Sequence, residues 1–179
     1  MASQIYLPAE KPIETNQKDL SATLPNIAET RSVIREIAGD DCVAFLGFTP
    51  IVDILDSPIP LAALTPQEHI LITSGMLEIV NTRSEFAFLM AHEIAHYLLG
   101  HLRTSEASVN SHWSLSQEAS ADALALKLLG NTTFHHSAAI SLLQRLEAFG
   151  EESGTALRDL YPTLSQRRTT LLSAVSNIS

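Results

Sequence analysis

The chain has 179 residues, the size of one domain, and 45% of them are hydrophobic, which is enough to bury a sizeable core. Its 11 basic and 20 acidic residues give a formal charge of -9, which repels nucleic acid and anionic membrane surfaces and argues against partners of either kind. The single cysteine, Cys42, excludes an internal disulfide and permits a reducing compartment such as the cytoplasm.

Residues 1–26 differ in composition from the rest of the chain. Pro8, Pro12 and Pro25 are interspersed with charged residues, and the unbroken apolar run of a signal peptide is missing. We interpret this region as a flexible N-terminal tail before one domain over residues 27–179. No later apolar run approaches the roughly 20 residues of a membrane span. The sequence therefore predicts a soluble protein of the cytoplasm, or of the periplasm or extracellular space if a targeting segment has been removed.

The first half of the domain is predicted as one helix followed by short strands. Asn26 and Glu29 form a possible capping box before a helix over residues 27–38, and Gly39 stops it. Four short apolar runs then follow, separated by glycine and proline. Each is predicted as a strand of a small sheet, over residues 42–46, 51–55, 61–64 and 69–73.

In the second half the hydrophobic period becomes helical. The main helix opens at a capping box of Thr82 and Glu85 and continues to Leu99 or beyond. It is apolar nearly all round, which is typical of a buried helix, so its polar side chains need hydrogen-bond partners or a metal. Ser114 or Ser116 is predicted to cap a helix that runs to Leu129. The other helices are predicted over residues 75–80, 133–149 and 164–176, with Gly150 ending the second of these.

This main helix carries the sequence His92-Glu93-Ile94-Ala95-His96, which matches HExxH. The four-residue spacing puts both imidazoles on one helix face, with about 5 to 6 Å between their Cβ atoms, so both can bind one tetrahedral zinc ion. Glu93 then lies beside the metal and can act as the general base toward a water that the metal activates. The motif predicts a zinc-dependent hydrolase of peptide bonds.

A third protein ligand is expected on the next helix. Glu118 follows His96 by 22 residues, and Asp122 lies four residues further on, so both carboxylates face the same way. One can bind zinc, and the other can accept the free ring N–H of a ligand histidine, for which we favour His92. We assign the metal to Glu118 and the outer position to Asp122. A solvated helix face is the competing interpretation of this pair.

His101 is the remaining histidine close to the motif. In the longer zinc motif HExxHxxGxxH a third histidine follows a glycine, but Gly100 and His101 each miss the required position by one residue. We interpret His101 as a residue of the helix end that stays open as an alternative ligand. His112 precedes the helix of Glu118, and nothing in its spacing requires it at the site.

These motifs resemble the CAAX-prenyl-protease and HtpX-like zinc metallopeptidases of the gluzincin clan. The similarity lies in residues 70–77, in residues 84–101 with HEIAH, in residues 118–122 and in residues 161–167. The resemblance implies a single α+β zincin-like domain in which a small sheet packs on the HExxH helix, with one zinc ion per chain.

The C-terminal motif departs from the family at one position. Tyr161 stands where the family usually has a histidine, and its hydroxyl can donate a hydrogen bond to a developing oxyanion, or the ring can simply pack under the last helix. Arg167 matches the family's arginine, which can orient Asp122 or contact substrate. A solvated arginine is the alternative.

The transmembrane helices of the family are missing here, so the resemblance implies a soluble endopeptidase or oligopeptidase for peptides or unfolded proteins. We expect the strand with His69, Ile70, Leu71 and Ile72 to be a sheet edge along which an extended substrate adds. Two other functions stay open. The chain can be a non-catalytic zinc-binding module, or a latent protease inhibited by its tail. The sequence leaves the oligomeric state open.

Overall fold

A computed structural model describes residues 25–103, 113–153 and 164–176. The helices in these parts are α1 (Ile27–Ala38), α2 (Cys42–Leu46), α3 (Ser74–Ile79), α4 (Arg83–Leu98), α5 (Leu115–Leu129), α6 (Ala138–Ser153) and α7 (Leu164–Ser176). The strands are β1 (Ile51–Leu55), β2 (Ala62–Leu64) and β3 (His69–Thr73), and a short 3-10 turn spans His101–Arg103. This content confirms the predicted α+β class, whereas the tail prediction falls largely on residues that the structure does not describe.

The three strands form a mixed sheet in the order β1-β3-β2. β1 runs parallel to β3, with Val52 opposite Ile70, and β2 runs antiparallel to it, with Ala63 opposite Leu71. The prediction that residues 69–73 form a sheet edge is therefore wrong. Both backbone edges of β3 are already used in pairing, so an incoming peptide has no free edge there.

A second correction concerns residues 42–46, which form the one-turn helix α2 and not a strand. The Asp41 side chain accepts a hydrogen bond from the Ala44 N–H at 3.0 Å. At the other end Gly47 is left-handed, with φ 87°, and its N–H donates to the Val43 carbonyl at 2.8 Å. The two caps enclose only five residues, and an apolar run this short has no period that distinguishes a helix from a strand.

The capping predictions agree with the structure at three helices. Asn26 caps α1, Thr82 and Glu85 form a capping box at α4, and Ser114 caps α5 together with Gln117. The helix predicted over residues 133–149 is shifted along the chain. It spans Ala138–Ser153 and contains Gly150, which was expected to end it.

α4 is the central element of the core. Its side chains from Ser84 to Met90 are all buried, and it packs against α1, α5, α6 and β2. The sheet supplies the other side of the core through Ile70 and Ile72, which are fully buried. This arrangement holds the HExxH segment rigidly between β2 and α5. Within the described ranges no helix combines the length and apolar character needed to cross a membrane.

Gly75 lies where α3 packs closely against the segment before β2. A Cβ added at Gly75 would lie 2.3 Å from the carbonyl oxygen of Pro58, closer than any real contact allows. The Gly75 N–H donates to the Ser57 carbonyl at 2.9 Å. Only glycine fits this close approach between α3 and the segment before β2.

Candidate metal centre

Three buried side chains converge where α4 faces α5. His92 Nε2 lies 3.0 Å from His96 Nε2 and 3.3 Å from Glu118 Oε2, and His96 Nε2 lies 3.9 Å from Glu118 Oε1. Each of the three residues can place a donor atom within 4.8 Å of the other two. Their exposed fractions are only 6%, 1% and 8%. Helical spacing on α4 and the packing of α5 thus bring together the three residues predicted as metal ligands.

The donor set fits zinc. Ligand bonds of about 2.0 to 2.2 Å in a tetrahedron separate the ligand atoms by roughly 3.3 to 3.6 Å, which is close to the observed spacings. Glu118 Oε2 is buried and receives no well-aligned hydrogen bond from the described residues, although Arg167 Nη1 lies 2.6 Å away. A buried carboxylate that faces two imidazoles is a usual donor for zinc. Two histidines and one glutamate also leave a fourth position for water or substrate.

The outer nitrogen of His92 contacts a carboxylate that is itself clamped. His92 Nδ1 lies 3.0 Å from Asp122 Oδ1. Arg167 Nη2 donates to the same oxygen at 2.7 Å, and Arg167 Nε donates to Asp122 Oδ2 at 2.9 Å. The structure therefore brings Asp122 and Arg167 to the positions expected for residues that orient a ligand histidine.

These contacts shift the pKa values in opposite directions. Burial and the charge of Arg167 lower the pKa of His92, but hydrogen bonds with Asp122 and Glu118 outweigh both and raise it to about 9 in the protein without metal. Burial opposes ionisation of Asp122, yet its hydrogen bonds with His92 and Arg167 hold its pKa well below the ordinary value. Burial, together with the charge of His92, lowers the pKa of His96 to about 2, so that this imidazole is neutral.

Glu93 lies next to the cluster on α4, outside the set of three donors. Burial raises the pKa of its carboxyl group to about 7, and a backbone hydrogen bond from Leu64 of β2 partly offsets that rise. The contact also shows that β2 is the strand beside the HExxH segment.

The surroundings of His96 hold two residues that the sequence analysis did not assign to the site. His101 Nδ1 lies 2.8 Å from His96 Nδ1. The Trp113 ring stacks on His96, with centroids 4.9 Å apart and an interplanar angle of 24°, and it also contacts His101 at 5.7 Å. His101 is thus an outer neighbour of His96 and not a member of the donor cluster. The position of His101 five residues after His96 was the only sign of this contact in the sequence. No feature of the sequence pointed to Trp113.

The remaining residues considered for the site are either on the sheet or outside the described residues. Tyr161 and His112 are outside the described residues, so their predictions stay untested. His69, Ile70, Leu71 and Ile72 are on the central strand β3, and His69 Nδ1 bonds Asp53 Oδ2 of β1 at 2.6 Å. None of these four residues is a member of the donor cluster.

Comparison with known proteins gives an independent result. Residues 27–112 match the model of a family described as Peptidase family M48, and this segment contains HExxH but ends before Glu118. No curated protein matches the chain. This match supports the resemblance of the chain to peptidase family M48, the metallopeptidase family of the CAAX-protease and HtpX-like proteins.

Proposed function

We propose that the chain is a zinc-dependent endopeptidase or oligopeptidase in which His92, His96 and Glu118 bind one zinc ion. The convergence of these three buried donors carries the proposal. A structural zinc site would close the fourth position with another protein ligand. The described residues offer a cluster of only three ligands, as a catalytic site requires.

Bound zinc would polarise the scissile carbonyl and lower the pKa of a water molecule beside it. Glu93 follows His92 on the same helix, so its carboxylate lies next to the ligand cluster without being part of it. From this position it takes a proton from the attacking water and returns it to the leaving amine. Asp122 keeps the proton of His92 on Nδ1, which leaves Nε2 free as the ligand atom.

Arg167 serves as a positioning residue in this proposal. Its side chain is 5% exposed and its nitrogen atoms contact both Asp122 and Glu118. These contacts fix the positions of both carboxylates relative to His92. Of the two roles that the sequence suggested, orientation of Asp122 is the one that this geometry supports.

The substrate edge that we propose is β2, in place of β3. The Thr65 N–H donates to the His69 carbonyl, and the Thr73 N–H donates to the Leu61 carbonyl. The alternation of an antiparallel ladder therefore turns the polar groups of Ala62 and Leu64 away from β3. The contact of Leu64 with Glu93 puts this outward edge beside the proposed catalytic base. An extended peptide that pairs with β2 would therefore cross the site.

The proposed mechanism is tested by zinc content and cleavage of a quenched peptide, with Glu93→Gln compared with wild type. We expect zinc in both proteins and a loss of cleavage of about 100-fold or more in the variant, because Glu93 moves protons and does not hold the metal. The control is Glu78→Gln, an exposed glutamate of α3, which should cleave as wild type does. Zinc in every protein without cleavage in any would favour the non-catalytic or latent alternative.

Substrate pairing with β2 is tested by methylating one backbone nitrogen at a time along a peptide that is cleaved. Peptide N–H groups that point toward β2 recur at every second residue. Loss of kcat/KM should therefore alternate along the peptide with a period of two residues. A loss confined to the scissile bond, or a uniform loss, would contradict pairing with β2.

A further inference from the structure

The two histidines of the proposed zinc site have different outer partners. His92 faces the carboxylate of Asp122, whereas the Nδ1 atom of His96 faces the imidazole of His101 at 2.8 Å. We propose that His101 is a positioning residue that fixes the tautomer and ring orientation of His96. This inference rests on the proposed zinc site and adds a residue to it.

The proposed zinc site sets the direction of the hydrogen bond between His96 and His101. His96 turns Nε2 toward His92 and Glu118, so Nε2 is the atom available to a metal and its ring proton must be on Nδ1. His96 Nδ1 then donates to His101 Nδ1, which must be unprotonated, and the proton of His101 is on its own Nε2. A ligand histidine usually donates its second N–H to an acceptor that fixes the ring, and His101 supplies that acceptor here.

The backbone after α4 explains why His101 can reach His96. Gly100 has φ 74°, a left-handed conformation that glycine adopts without strain, and its N–H donates to the Tyr97 carbonyl at 2.9 Å. This reversal ends the helix and starts the turn His101–Arg103, which packs back on α4. Trp113 then stacks on His96 and contacts His101, so both imidazoles share one aromatic neighbour.

Asp122 is charged and His101 is neutral, and this difference limits the effect that His101 has on its ligand histidine. A carboxylate orients a ligand ring and also makes it more basic, whereas a neutral imidazole mainly orients it. Removing the acceptor at residue 101 leaves the Nδ1–H of His96 without this partner in a buried position, and the ring loses its preferred orientation. The expected result is weaker zinc binding in a protein that is still folded.

The test compares His101→Leu with His101→Asn. The amide oxygen of asparagine lies at the same distance along the side chain as Nδ1 of histidine and can accept the hydrogen bond, whereas leucine places a methyl group there. Zinc affinity is measured by competition with a chromophoric chelator. We expect His101→Leu to bind zinc about 10- to 100-fold more weakly than wild type, and His101→Asn to recover most of that loss.

Two controls make the result decisive. Melting temperatures of the metal-free proteins show whether either variant is simply misfolded, and His135→Leu makes the same replacement at an exposed histidine whose backbone N–H bonds Ser84, at the far end of α4.

Equal zinc affinity in His101→Leu and wild type would overturn the role of His101. Equal losses in the leucine and asparagine variants would also overturn it, because packing and not the hydrogen bond would then be responsible. If the wild-type protein did not bind zinc, the proposed function itself would be wrong.

Discussion

Arg167 is a buried cation, and its surroundings explain how a charge is tolerated there. Its guanidinium makes two hydrogen bonds to Asp122 and lies 2.6 Å from Glu118, while Nη2 is 3.4 Å from His92 Nδ1. Burial opposes its charge, but the bonds to Asp122 and the nearby carboxylates raise the pKa of Arg167 above its ordinary value. The two carboxylates at the site depend on this cation, since burying them unpaired is unfavourable.

Replacing Arg167 with leucine should therefore destabilise the protein by about 3 to 5 kcal/mol, the usual cost of breaking a buried ion pair from one side. The neighbouring residue gives a matched control. Arg168 Nε lies 2.8 Å from Glu147 Oε2, but its side chain is 33% exposed. Arg168→Leu should cost no more than about 1 kcal/mol. Denaturant unfolding of both variants measures the difference, and equal losses would show that the buried ion pair has no special weight.

The sequence indicated which motif side chains lie together, but it did not indicate the contacts around His96. The four-residue spacing in HExxH and between Glu118 and Asp122 indicated which side chains share a helix face. His101 and Trp113 follow no such spacing. Their contact with His96 depends on a chain reversal at Gly100 and on the packing of α5, which are tertiary features.

α4 and α5 begin with the same type of capping box in different environments. At α4 the Glu85 carboxylate accepts from the backbone of Asn81 and Thr82, and it also bonds Ser141 and Arg145 of α6, with only 1% of Glu85 exposed. At α5 the corresponding bonds between Ser114 and Gln117 are exposed to solvent. The first box therefore links two helices, whereas the second one only starts a helix.

Glu85→Ala should consequently destabilise the protein by about 2 kcal/mol, because it removes a cap and leaves buried donors unsatisfied. Gln117→Ala should cost less, about 0.5 kcal/mol, because water replaces its contacts. Urea unfolding of the two variants gives the comparison. A larger loss for Gln117→Ala would contradict the structural role assigned to Glu85.

Element types were predictable where the hydrophobic period was long or the caps were clear. The long α4 has a strong signal, whereas the five residues of α2 contain too few positions to show any period. Strand order was not predictable in the same way. The residues of β3 show which face is buried, but they do not show whether one or both backbone edges are paired.

Across the whole molecule, the proposed metal ligands lie on two helices that a long connection separates in sequence. His92 and His96 come from α4, and Glu118 comes from α5, which packs along it. An ion bound by both helices would link them in the folded protein alone, because the unfolded chain does not bring the three ligands together.

Chelation should therefore lower thermal stability. At free zinc 100-fold above the dissociation constant, bound metal contributes about 2.7 kcal/mol, which a chelator would remove. Melting temperature is measured with zinc and with chelator, and added zinc should restore the original value. Glu118→Gln should show little difference between the two conditions. An unchanged melting temperature in wild type would contradict a metal link between α4 and α5.

Trp113 is the single tryptophan of the chain, and it stacks on His96. Tryptophan fluorescence from this protein therefore has one source, a few ångströms from the proposed zinc ligand. The intrinsic emission should therefore report on the proposed metal centre, so that events at His96 can be followed in the unmodified chain without an attached dye.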